Sequence, residues 1–157
     1  MPVLVTGLSG NGEQEKQLYE TLVKIISKKH TIKEVEKTAS KGSYNMESGV
    51  ISVRSDLEYF QKIKTILHEY AHAIDFEMHP DGAIRRNIRE LIAESTAFVV
   101  AERLGLDTSR YSVSYIKSWM KDRKEFKDIA DTVQKISYQI INEIAGEDIT
   151  STPAFLI

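Results

Sequence analysis

Residues 63–73 read Ile63-Lys64-Thr65-Ile66-Leu67-His68-Glu69-Tyr70-Ala71-His72-Ala73, and the segment from His68 to His72 decides how the rest of the chain is read. Two histidines four residues apart on a helix sit one turn apart on one face, so both imidazoles can reach a single ion at about 2.0–2.1 Å. Glu69 follows the first histidine by one residue and points roughly 100° around the helix. Its carboxylate is badly placed to ligate beside the histidines but well placed to take a proton from water in an open coordination position. Metal-assisted hydrolysis divides its labour in this way: the metal acidifies the water and polarises a carbonyl, and the glutamate passes the proton to the leaving amine. The plain alternative is a pair of helix-surface histidines flanking an acid. With four histidines in 157 residues, a chance H-E-x-x-H falls well under about 1%. The hydrolytic reading is preferred.

The flanking sequence supplies the helix that the chemistry needs. After Asp56, the apolar positions Leu57, Phe60, Ile63, Leu67, Tyr70, Ala71 and Ile74 recur near the helical period, and Pro80-Asp81-Gly82 ends the pattern. Two histidines leave a metal short of one protein ligand. The chain has no cysteine, so the third donor must be His, Asp or Glu. The candidates are Asp75, His79, Glu90, Glu94 and Glu102. Asp75 and His79 lie farther down the same straight helix, so ligation by either would need a bend. In the H-E-x-x-H-x-x-G pattern a glycine supplies that turn, and here the position is Asp75. His79 beside Pro80 reads as a helix end.

Glu94 is better placed. It lies 22 residues after His72, in the middle of a second helical pattern from about Ile84 to Leu104 that Gly105 closes. Ala93, Ser95, Thr96 and Ala97 around it are small enough to let the two helices approach. A carboxylate among Leu91, Ile92, Phe98 and Val99 needs a partner when buried, and a metal ion is such a partner. Glu94 is therefore the expected third ligand. Glu90, one turn earlier on the same face, is second choice, with pairing to Arg86 or Arg89 as its ordinary explanation.

Upstream, Glu13 to Lys28 carries Leu18, Leu22, Val23, Ile25 and Ile26 near helical spacing, which predicts a first amphipathic helix. Val3-Leu4-Val5 reads equally as a strand or a loop. Gly7, Gly10 and Gly12 do not have the spacing of a phosphate-binding loop. Thr31 to Thr38 alternates, and Gly42 to Asn45 leads through Glu47-Ser48-Gly49 into Val50 to Val53, which predicts a hairpin within two or three antiparallel strands. Downstream, a short helix is expected around Val113 to Met120. A long one is expected from about Phe126 to Ile144, with Ile129, Val133, Ile136, Ile140 and Ile144 on one stripe. The chain reads as one α+β domain spanning residues 1–157.

Hydrophobic residues at 41%, charged residues at 28% and a formal charge of -2 describe a globular protein without an electrostatic footprint for nucleic acid. Direct nucleic-acid binding is not expected, and neither is a membrane span or signal peptide. A cytoplasmic protein acting on a protein or peptide is the default. Oligomeric state is not legible.

Three ordered motifs carry a resemblance: residues 63–73 quoted above, Ala93-Glu94-Ser95-Thr96-Ala97-Phe98-Val99-Val100, and Ser114-Tyr115-Ile116-Lys117-Ser118-Trp119. Together they resemble the zincin-like metallopeptidases of the ArdC antirestriction and ImmA/IrrE type, over roughly Lys41 to Ile144. Such proteins occur on phages and conjugative elements of bacteria. The resemblance implies a zincin fold, a Zn2+ site of gluzincin type with Glu94 as third ligand, and a sheet whose edge strand, here Val50 to Val53, binds an extended peptide. ArdC-type proteins usually carry an N-terminal single-stranded-DNA-binding domain, to which nothing here corresponds, so DNA binding is not carried over. The opening at Met1-Pro2 fits a fragment of a longer protein. Tyr111 or Tyr115 is a candidate hydrogen-bond donor to the tetrahedral oxyanion, although Tyr115, Ile116 and Trp119 read more simply as core.

Two function classes follow. The first is a zinc metallopeptidase cutting a specific protein, with His68, His72 and Glu94 as ligands and Glu69 as general base. The second is a mobile-element antirestriction or regulatory module that keeps the zinc site but acts by binding. A zinc-sensing transcription regulator fits poorly, because no helix-turn-helix pair is present.

Overall fold

Among the described residues, the most deeply buried strand lies at the centre of the sheet, and the helices pack from there. The computed structural model describes residues 12–36, 40–80, 86–110 and 123–146. Its elements, in order, are α1 (Glu13–Ile26), β1 (Ile32–Val35), β2 (Gly42–Tyr44), β3 (Ile51–Arg54), α2 (Tyr59–Met78), α3 (Arg86–Arg103), a 3-10 turn (Thr108–Arg110) and α4 (Arg123–Ala145). This is an α+β chain. Val3 to Val5, read equally as a strand or a loop, and the expected short helix at 113–120, with Tyr111, Tyr115 and Trp119, lie outside the described residues.

The sheet is mixed, in the order β1-β3-β2. β2 and β3 form the expected hairpin, with Tyr44 opposite Ile51 and Gly42 opposite Val53. Its turn is set locally. The Asn45 side-chain oxygen accepts the backbone N–H groups of Glu47 and Ser48 at 2.9 and 3.0 Å. Gly49 takes φ 75°, a conformation that glycine adopts without cost to a Cβ. Of the two or three antiparallel strands expected, β2 and β3 are antiparallel, whereas β1 runs parallel to β3, with Ile32 opposite Ile51. Two reversals of chain direction separate β1 from β3, so pairing them directly makes them parallel.

Burial explains the order. Ile51 and Val53 on β3 are fully buried, whereas β1 carries Lys33 and Glu34 at its centre and suits an edge. The strand Val50 to Val53, taken from the resemblance as a peptide-binding edge, is therefore the central strand. The edge that lies over α2 is β2.

α2 packs against the sheet, α1, α3 and α4. It begins at Tyr59 rather than next to Asp56, because Asp56 is engaged in the preceding turn by Arg54 at 2.9 and 2.8 Å. α4 buries the expected stripe Ile129, Val133, Ile136, Ile140 and Ile144. Behind α2, the Tyr70 hydroxyl donates to Glu143 of α4 at 2.6 Å, and Lys29 reaches the same carboxylate at 2.9 Å. Among the described residues, no helix is long and apolar enough to cross a membrane.

Gly42 is where β2 rests on α2. A Cβ there would run into the Thr65 methyl and come within 2.8 Å of the Ser52 carbonyl oxygen. Neither the strand backbone nor the helix can yield without separating the two elements. Gly42→Ala is expected to lower unfolding free energy by about 1–3 kcal/mol, the usual cost of overpacking, as read by urea denaturation. An unchanged midpoint would show that this contact is soft.

Candidate metal centre

The site grows out of the seam between α2 and α3. Ala93, Ala97 and Ala101 on α3 and Ala71 on α2 are buried, and side chains this small let helix axes come close. The cross-helix pairs Lys64–Glu94, His68–Glu90 and Asp75–Arg89 run in opposite sequence directions, so the helices are antiparallel along this seam. That register brings one face of α3 onto the histidine face of α2.

His68 Nε2 lies 3.1 Å from Glu90 Oε2, and His72 Nε2 lies 3.2 Å from Glu90 Oε1. The two rings meet edge to face with centroids 4.8 Å apart. His68, His72 and Glu90 each offer a donor atom within 4.8 Å of the others, so this group could hold a metal ion. Glu94, the ligand expected from the sequence, is not one of these three donors. It sits on the other side of the His68 ring, with Oε2 3.0 Å from Nδ1, and its second oxygen is 3.7 Å from Lys64 Nζ. The physical reason is the helical rise. One turn carries the chain about 5.4 Å, so two glutamates four apart on α3 cannot both face the midpoint between the imidazoles. In this register Glu90 meets that midpoint.

The His68–Glu90 and His72–Glu90 separations are hydrogen-bond lengths that a shared cation could also occupy. Ligand bonds of about 2.0–2.1 Å imply donor separations of roughly 3.3 Å, close to the two N–O distances above. The electrostatics agree. Burial disfavours the imidazolium at His68, but hydrogen bonds from its two ring nitrogens to Glu90 and Glu94 outweigh burial and lift its pKa to about 9. The two carboxylates thus favour positive charge at the His68 ring. His72 is shifted the other way, by burial first and then by the nearby His68 charge, which favours the neutral ring that ligation requires. The hydrogen bond from His68 is the main cause holding the Glu90 carboxyl below its usual range. At Glu94 burial pushes upward, but the His68 hydrogen bond and the Lys64 charge prevail, and the carboxyl again stays low.

Glu69 shares the cleft but stays apart from the three-donor group. It faces β2, its Cγ 3.6 Å from where a Gly42 Cβ would stand. Burial, the largest influence, raises its pKa to about 7; Glu90 adds to the rise and His68 opposes it. The cleft encloses about 860 Å³, room for several residues of a peptide.

The remaining candidates are occupied elsewhere. Asp75 is fully buried, its carboxylate 3.0 Å from His79 Nδ1 and 3.6 Å from Arg89 Nη1. Arg89 also donates to the His79 carbonyl at 3.0 Å, so these residues tie the end of α2 to the start of α3. Glu102 accepts a hydrogen bond from Thr108, more than two turns beyond Glu90. Sequence reasoning passed over Lys64 and Gly42. Lys64 had a signal, since it lies four residues before His68 on the same face; Gly42 had none, because its role depends on a strand lying over a helix.

No family model, curated protein or solved structure matches the chain.

A divalent transition metal is expected to stabilise the folded chain by about 2.7 kcal/mol at a hundredfold excess over its Kd, seen as a raised melting temperature on titrating zinc. His68→Ala and His72→Ala should abolish the rise. A rise of the same size in both variants would place the binding elsewhere.

Proposed function

We propose that this chain is a zinc-dependent peptidase of zincin architecture, hydrolysing a peptide bond in a protein substrate. The observation that carries the reading is the position of Glu69: a half-buried carboxyl in the same cleft as a His-His-Glu donor group, on the same helix as both histidines, yet outside the donor set. A structural metal site has no use for such a group, whereas hydrolysis needs a base beside the reacting water.

In this proposal His68, His72 and Glu90 hold the ion, and Glu94 accepts the Nδ1 proton of His68, orienting the ring and making its other nitrogen more basic. Nitrogen and carboxylate donors without thiolate suit zinc. Zinc, when bound, supplies Lewis acidity to the attacking water and to the scissile carbonyl. Glu69 takes the proton from that water and returns it to the leaving nitrogen. β2 supports peptide binding. Arg54 N–H donates to the Lys41 carbonyl and Asn45 N–H to the Val50 carbonyl, both at 2.9 Å. Antiparallel alternation then turns the backbone groups of Gly42 and Tyr44 to the outer edge, where an extended peptide can add as a further strand.

Glu69→Gln separates chemistry from binding. The variant should keep zinc and lose peptide cleavage by about a hundredfold or more. Equal cleavage by both proteins would refute the assignment of the base, and a biological effect that survives in Glu69→Gln would favour action by occlusion.

Glu90→Gln and Glu94→Gln divide the two carboxylates. Loss of an orienting partner costs roughly 10–100-fold in metal affinity, so Glu90→Gln should weaken zinc binding more than Glu94→Gln in chelator competition. The opposite order would return the third ligand to Glu94.

A further inference from the structure

The cleft runs along α2, and its two ends differ in chemistry. At one end Lys41, just before β2, donates to the Gln61 side-chain oxygen at 3.4 Å. At the other, the rings of Tyr44 and Phe76 lie 6.1 Å apart, and Met46 stands at the rim with 60% of its surface exposed. Glu69 falls between the ends, since it packs toward Gly42. From Gln61 to Phe76 the helix rises roughly 22 Å, the length of six or seven extended residues.

The positive charges of the cleft are not equally engaged. Lys64 lies 3.7 Å from Glu94. Arg89 lies 3.6 Å from Asp75, with its guanidinium 4.1 Å above the Phe76 ring. Arg86 acts on Glu90, helping to hold that carboxyl low. Each of these cations has a carboxylate to answer it. Lys41 differs, because its partner among the described residues is the neutral Gln61 amide. A surplus of positive charge therefore sits at the Lys41 end, and the half-buried rings of Tyr44 and Phe76 with the exposed Met46 sit at the other.

We infer that the cleft selects an extended peptide that carries a large apolar side chain before the scissile bond, against Tyr44, Met46 and Phe76, and an acidic side chain after it, against Lys41. This inference rests on the peptidase reading above. The direction follows from β2, which runs from Lys41 toward Tyr44. A peptide adding in the more stable antiparallel sense places its N-terminal side at the aromatic end and its C-terminal side at the lysine.

The test uses three fluorescent heptapeptides: phenylalanine before and aspartate after the central bond, the same peptide with lysine for aspartate, and the first peptide with phenylalanine and aspartate exchanged. Affinities are read by anisotropy on the zinc-loaded full chain carrying Glu69→Gln, with and without Lys41→Glu, while cleavage by the zinc-loaded wild type is followed by mass spectrometry. The phenylalanine–aspartate peptide should bind roughly fivefold more tightly than its lysine counterpart, the scale of an exposed ion pair, and Lys41→Glu should reverse that order. Equal affinities, a preference unmoved by Lys41→Glu, tighter binding of the exchanged peptide, or no binding at all would each overturn the inference. Binding with the stated preference but no cleavage would sink the peptidase reading alone. Cleavage of all three peptides without preference would sink the specificity alone.

Discussion

The close approach of α2 and α3 is the constraint on which the site depends. Alanines buried on both helices leave no bulk between them, so side chains projecting from the flanks of the seam meet at hydrogen-bond distance. A bulkier residue at Ala93 or Ala97 would separate the helix axes, and Glu90 would no longer span His68 and His72. The core behind α2 serves the same end. The isoleucine stripe of α4 and the bond from Tyr70 to Glu143 leave α2 little freedom to rotate its histidine face out of register.

Polar pairs set the register along the seam. Glu94 with Lys64 and His68 fixes one end, and Asp75 with Arg89 and His79 fixes the other. Buried charges such as Asp75 and Arg89 are poor sources of net stability, because desolvation offsets most of the attraction. They are intolerant of mispairing, however. Sliding α3 by one turn would leave Asp75 buried without its cation and bring Glu94 to the place of Glu90. The same pairs that keep the helices in step thus determine which glutamate meets the imidazoles.

The sheet contributes a wall rather than a ligand. Its central strand is buried and paired on both sides, while β2 lies over the histidine helix with one edge directed outward. Glycine at position 42 permits this contact. Strand, the His68–His72–Glu90 group and the half-buried Glu69 carboxyl therefore share one cleft, which also carries unlike chemistry at its two ends.

Much of this was legible in the residues. Period and punctuation located α1, α2, α3, α4 and the hairpin, because local propensity and tertiary packing agree in those segments. The spacing of His68, Glu69 and His72 is a property of a single helix, so it could be read without any knowledge of the fold. Three matters could not be read in that way. Whether Glu90 or Glu94 faces the paired nitrogens depends on the sliding register of two helices, and both residues lie on the same face of α3. Which strand is central depends on how an edge and a hairpin are ordered in space, which alternation along one strand does not encode. The contact of Gly42 with Thr65 and Glu69 joins residues more than twenty positions apart. Helical periodicity is local and survives in the sequence; register between elements arises only when surfaces meet.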